Sequence, residues 1–156
     1  LGRPDEATRE ACLGALKAYG KALAAPLALY MTERPQVVVP TVAAAVRALP
    51  KLLLPAVAEA SKPGGGIVAR ENALDVLAEA GPAARPVQSA VLDALADEGL
   101  LIRVKAAVAL RYVAERQDKA AVAALQQILR TDDRDAVQVA AADTLRHLGV
   151  FVPYEW

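Results

Sequence analysis

A segment of thirteen residues recurs five times along the chain, and that recurrence limits the fold more than any other feature. The copies are Thr8–Gly20, Val38–Pro50, Ala69–Gly81, Ile102–Ala114 and Val137–Gly149, with starts 30, 31, 33 and 35 residues apart. Counting the first residue of each as position zero, position eight is Leu16, Val46, Leu77, Leu110 and Leu145. Position eleven is Tyr19, Leu49, Ala80, Val113 and Leu148, and position twelve is Gly20, Pro50, Gly81, Ala114 and Gly149. Side chains at zero, four, eight and eleven fall on one stripe of a helix. Glycine at position twelve stops such a helix, since it enters the left-handed backbone without a Cβ penalty. Proline stops it by lacking the N–H.

Second helical stretches are expected between the copies, at Lys21–Thr32, Lys51–Ser61, Ala83–Asp97 and Asp118–Arg130. Pro26, Pro55 and Pro86 sit in or near their first turns, where proline is tolerated, or kink them. The chain holds 36 alanines among 156 residues and only 4% aromatics. Alanine is the best helix former and lets neighbouring helices approach closely. The expectation is therefore an all-α chain of helix, short turn and second helix. A lone pair of this kind cannot bury its apolar faces, so the pairs must stack.

The turn acids Asp132, Asp133 and Asp135, followed by Val137, Ala141, Ala142, Leu145, Leu148 and Gly149, resemble the signature of the HEAT repeat family. The likeness is greatest to bacterial HEAT-like repeats of the phycobilin-lyase type. Ile102, Arg103, Ala106, Ala107, Ala109 and Leu110 form a second match; the Val38 segment departs, with Val39 at the arginine position and Pro40 early in the helix. The resemblance implies a right-handed α-solenoid of stacked antiparallel helix pairs. It phases the chain as a half repeat at 4–20, full repeats at 21–50, 51–81, 83–114 and 118–149, and an aromatic tail at 150–156. An unpaired first helix and a start at Leu1 rather than methionine lead to the expectation that the chain begins inside a repeat, with more array upstream, or another chain or a non-helical segment covering that face. The resemblance also implies that Arg9, Arg70 and Arg103, at position one, pair with turn acids of neighbouring units.

Charge is balanced, 18 basic against 18 acidic side chains, which speaks against a nucleic-acid partner held by bulk charge. The longest uncharged stretches, Ala22–Thr32 and Pro35–Val46, are too short to span a bilayer and contain proline, so no membrane insertion is expected. No export signal is visible, which points to the cytoplasm. The single cysteine, Cys12, rules out an internal disulfide and fits a buried apolar position. With His147 the only histidine, metal pairs and histidine-assisted nucleophiles have little to work with, and neither a cofactor nor catalysis is expected. Pro63-Gly64-Gly65-Gly66 lacks the Gly-Lys-Ser/Thr of a phosphate loop and reads as a turn between helices. Asp132, Asp133 and Asp135 lack the later glutamate and glycine of a calcium loop and read as helix-start acids.

Position nine carries Lys17, Arg47, Ala78, Arg111 and Arg146, so four of five copies place a cation at one height. Stacked, these form a row at the edge of the surface where repeat proteins bind, beside Tyr112 and His147. Cations in a last helical turn also complement the helix dipole, so the row has a purely structural explanation as well. Phe151, Tyr154 and Trp156 place three of the six aromatics in the last six residues, as a fold-back cap or a docking segment. The expected function is a non-catalytic scaffold that holds a protein partner through Lys17, Arg47, Arg111, Tyr112, Arg146 and His147. The alternatives are a bilin-lyase-like subunit handling a tetrapyrrole and its acceptor protein, and a DNA-binding solenoid like the HEAT-type glycosylases. Inner acids Asp75, Glu79 and Asp143 speak against the last.

Overall fold

The computed structural model describes residues 29–153 together with Ala22, Pro26 and Leu27. Seven α-helices are described: α1 Pro35–Ala48, α2 Pro50–Ala60, α3 Ile67–Ala80, α4 Gln88–Asp93, α5 Leu100–Val113, α6 Lys119–Thr131 and α7 Asp135–His147. Short 3-10 turns, Gly81–Val87 and Ala94–Ala96, flank α4, and no strand occurs among the described residues. The described part of the chain is all-helical. The first copy of the repeat, with Arg9, Cys12 and Lys17, lies outside the described residues, as do Tyr154, Glu155 and Trp156.

Helices α1, α3, α5 and α7 are the remaining four copies, and each packs on the next. Their stripes carry the core: Val38, Val42 and Val46 from α1, Ala73 and Leu77 from α3, Ala106 and Leu110 from α5, and Ala141 and Leu145 from α7 are all buried. Alanine at position four in three of the four lets backbones close up, while the branched residue at position eight fills the space between. Fully burying each such leucine or valine contributes roughly 1.5–3 kcal/mol. The intervening segments pack on the same helices: α2 on α3, residues 81–96 on α5, and α6 on α7.

Two expectations are corrected. The stretch 83–97 is not one helix but a 3-10 turn, a short α4 and a second 3-10 turn. Pro86 has no N–H for the carbonyl of Pro82, and it biases Arg85 away from α geometry, so the i→i−4 ladder cannot start before Gln88. Pro50 does not end α1; Leu49 does, with φ −133° and ψ 57°, and Pro50 opens α2 at the first helical position. Pro40 and Pro55 lie inside α1 and α2 at exposed positions, and each removes the N–H that would bond the carbonyl four residues back.

Glycine ends α3 and α7 as expected. Gly149 takes φ 88°, and Val150 N–H donates to Leu145 O at 2.9 Å while Gly149 N–H donates to Arg146 O at 3.1 Å. That pair of bonds is a Schellman motif, and it turns the tail back over α7. Val150 and Val152 then pack against the core, whereas Phe151 is 90% exposed. The described part of the cap is thus made by valines, and Phe151 takes no part in it.

Two of the three arginines at position one, Arg70 and Arg103, pair with turn acids of the next copy, while Arg9 lies outside the described residues. Arg70 Nη1 donates to Asp97 Oδ2 at 2.5 Å, and Arg103 holds both oxygens of Asp132, at 2.7 and 3.3 Å. Each aspartate stands two residues before the N-cap of the next copy and accepts the N-cap's own N–H, from Gly99 at 2.8 Å and Arg134 at 3.0 Å. One carboxylate therefore shapes its own turn and receives the arginine of the preceding copy. Burial pushes the Asp132 carboxyl upward, but hydrogen bonds from Arg103 and the Arg134 N–H outweigh it and hold the group below the usual carboxylate range. With the folded value below the unfolded value of about 4, this rung stabilises the chain above that pH and is lost as pH falls through the folded value. Asp132→Asn should cost about 1–3 kcal/mol at neutral pH. In urea melts, the gap between wild type and Asp132→Asn should narrow as pH falls below the unfolded carboxylate value of about 4; a gap that stays constant there would refute the linkage.

Candidate functional site

An open groove crosses three successive copies of the repeat. Pro35, Gln36, Val39 and Pro40 of α1 form one wall, Asp75, Ala78 and Glu79 of α3 the floor, and Tyr112 of α5 the far wall. The register explains the shape. Buried positions zero, four and eight face the neighbouring helices, and the groove is lined by the N-terminal part of α1, positions six, nine and ten of α3 and position ten of α5. Tyr112 is 49% exposed, so its ring is available as a wall rather than a core element. Two prolines, a valine, an alanine and a tyrosine make the lining largely apolar, with two carboxylates and an amide at the margin. That is the composition of a surface that takes an apolar side chain and fixes its orientation with a few polar contacts.

The charges around the groove are partly committed. Asp75 Oδ2 accepts from Lys105 Nζ at 2.5 Å, which ties α3 to α5 beneath Tyr112. Both side chains are less than a third exposed, so the pair is more protected from salt than a surface bridge. Glu79 is exposed, and its backbone carbonyl accepts from Arg47 Nη1 of α1 at 2.8 Å.

The basic row expected at position nine is divided by the structure. Arg47 spans from α1 to the last turn of α3, where it satisfies a carbonyl that the helix end leaves open. Arg146 binds the tail, with Nε to Val152 O at 3.2 Å and Nη2 to Pro153 O at 3.0 Å, and also bonds Asp143 at 2.8 Å. Arg111 is exposed and lies 5.8 Å from the centre of the Tyr112 ring, within cation–π range. His147 is exposed in the last turn of α7. Lys17 lies outside the described residues. The row is thus brought together with Tyr112 at one member, Arg111, while Arg47 and Arg146 each hold backbone.

Sequence reasoning missed the groove's α1 wall. Val39 and Pro40 read as a departure from the repeat, Pro35 and Gln36 carried no such signal, and only their placement opposite Tyr112 makes them a surface. A signal was present: Val39 stands at position one, where the copies on either side carry Arg9 and Arg70.

Asp132, Asp133 and Asp135 are placed by the turn before α7. Asp132 is engaged as above, Asp135 opens α7, and Asp133 is exposed and lies 3.6 Å from Arg134. Pro63 to Gly66 join α2 to α3 as a turn, with Gly64 at φ 104°. Among the described residues no helix is long and apolar enough to cross a membrane.

The divided row has a measurable consequence. Arg47→Gln should destabilise by about 1 kcal/mol, because it strips a carbonyl of its donor, whereas Arg111→Gln should stay within about 0.5 kcal/mol of wild type. Denaturant melts in which both substitutions cost the same would contradict this assignment. No family model, curated protein or solved structure matches the chain.

Proposed function

We propose that this chain is a non-catalytic scaffold: a HEAT-like α-solenoid that holds a protein partner in the groove between α1, α3 and α5. The repeats run 21–50, 51–81, 83–114 and 118–149, with 4–20 as a half repeat, stacked as a right-handed array. Support comes from the stacking of α1, α3, α5 and α7 and from the Arg70–Asp97 and Arg103–Asp132 rungs, which join successive copies at one register. The observation that carries the binding role is the groove itself, an apolar-lined strip running across three copies with Tyr112 as its exposed aromatic wall. Tyrosine anchors dominate binding energy where they sit in a pocket rimmed by polar groups. Arg111 beside Tyr112 gives the partner a cation at the same edge.

Tyr112→Ala and Val39→Glu are the informative variants, since neither side chain is fully buried. Each should keep the helical signal and lower partner retention at least tenfold when immobilised protein is challenged with host extract and the bound fraction is identified by mass spectrometry. Retention of the same proteins by wild type and both variants would reject the groove. Visible absorbance on adding a linear tetrapyrrole would favour the bilin-handling alternative instead, and steeply salt-dependent retention on DNA would favour a nucleic-acid partner.

A further inference from the structure

We propose that the array bends at one joint, between α1 and α3, and that this bend moves the α1 wall of the groove. Three junctions between successive copies can be compared at identical register. At two of them a position-one arginine reaches the aspartate five residues before the next copy: Arg70 to Asp97, and Arg103 to Asp132. At the α1–α3 junction the same two positions are Val39 and Gly64, so both halves of the rung are missing together. Among the described residues no ion pair joins α1 to α3. Its polar links are neutral or one-sided: Asn72 Nδ2 to Met31 O at 2.6 Å and to Glu33 O at 3.0 Å, and Arg47 to the carbonyl of Glu79.

The missing acid also leaves its own turn untied. Asp97 and Asp132 each brace the N-cap of the following helix, and a position-one side chain of that helix binds the aspartate's carbonyl: Arg103 to Asp97 O at 2.9 Å and Gln138 to Asp132 O at 2.7 Å. In the corresponding turn, Gly64 has no side chain to brace Gly66, and Arg70 Nε is buried without a partner. A Cβ placed on Gly64 or on Gly66 would meet nothing within 4 Å. On Gly65 between them it would be in ordinary contact with the Ala60 and Lys62 carbonyls, yet three consecutive glycines without a side chain to pack have the widest backbone freedom available to a linker. Weak polar coupling and a loose connector thus coincide at one junction.

The position of that junction gives the bend an effect. Val39, Pro40, Pro35 and Gln36 lie on one side of it, and Asp75, Ala78, Glu79 and Tyr112 on the other. Rotation there widens or narrows the groove while the rungs keep α3, α5 and α7 together. The bend is independent of any partner, whereas closure on a partner rests on the function proposed above.

Paired spin labels on the free protein test the bend directly, in a Cys12→Ser background. Labels at Ala44 and Val108 span the unrunged junction and one with a rung; labels at Glu79 and His147 span two junctions with rungs. All four positions are exposed. The first pair should give a distance distribution at least twice as wide as the second, and equal widths would overturn the proposal. Copying the next turn into this one, with Pro63→Ala, Gly64→Asp and Gly65→Glu alongside Val39→Arg, should narrow the first distribution to the width of the second. The reverse variant, Arg103→Gln, should broaden the second distribution alone. If neither variant moves its distribution, the rung does not govern the bend and the proposal fails. Because these readings need no ligand, they stand apart from any failure to capture a partner.

Discussion

Contact between the alanine-rich faces of α1, α3, α5 and α7 is the constraint on which the rest depends. A helix of thirteen or fourteen residues is marginal alone, so each acquires its stability from the neighbour it buries. Small residues at position four set the spacing, and branched ones at position eight fill it. Once that spacing is fixed, side chains at position one of one copy and the turn acid of the next come within bonding distance. The rungs are therefore a consequence of stacking and not its cause. They add register specificity to an interface that apolar contact alone would leave free to slide.

The groove follows from the same geometry. Stacking consumes two sides of each helix and leaves a strip of positions facing outward, so any exposed apolar residue there is repeated along a line. Most of that strip is charged or small. Between α1 and α5, Val39 and Pro40 on one side and Tyr112 on the other flank the charged and small residues Asp75, Ala78 and Glu79. Val39 serves two ends at once, lining the groove with methyl groups and leaving the adjacent junction without its arginine. The groove wall and the missing rung thus share a residue.

Electrostatics in this chain are local rather than global. Net charge is zero, and the buried or half-buried pairs do their work across single junctions. Asp132 combines both uses of charge, holding its own turn and the preceding copy, and its lowered pKa records how completely those partners outweigh desolvation. Arg47 and Arg146 serve the backbone instead, one at a helix end and one in the tail.

Helix identity, helix order, the small and branched core positions and the column of position-one arginines could all be read from the sequence, because a 3.6-residue period repeated at near-constant spacing leaves few other arrangements. Helix boundaries at Leu49 and the broken segment 81–96 could not, since the ladder is decided by which carbonyls proline leaves without a donor. Position nine looked like one row from its residue types. Only the tertiary structure separated Arg111, lying against an exposed ring, from Arg47 and Arg146, which reach carbonyls 32 and seven residues away in the chain. The physical reason is reach: an arginine side chain is long and flexible, so its sequence position names a height on the helix, and only the surrounding fold says whether the guanidinium finds backbone or solvent.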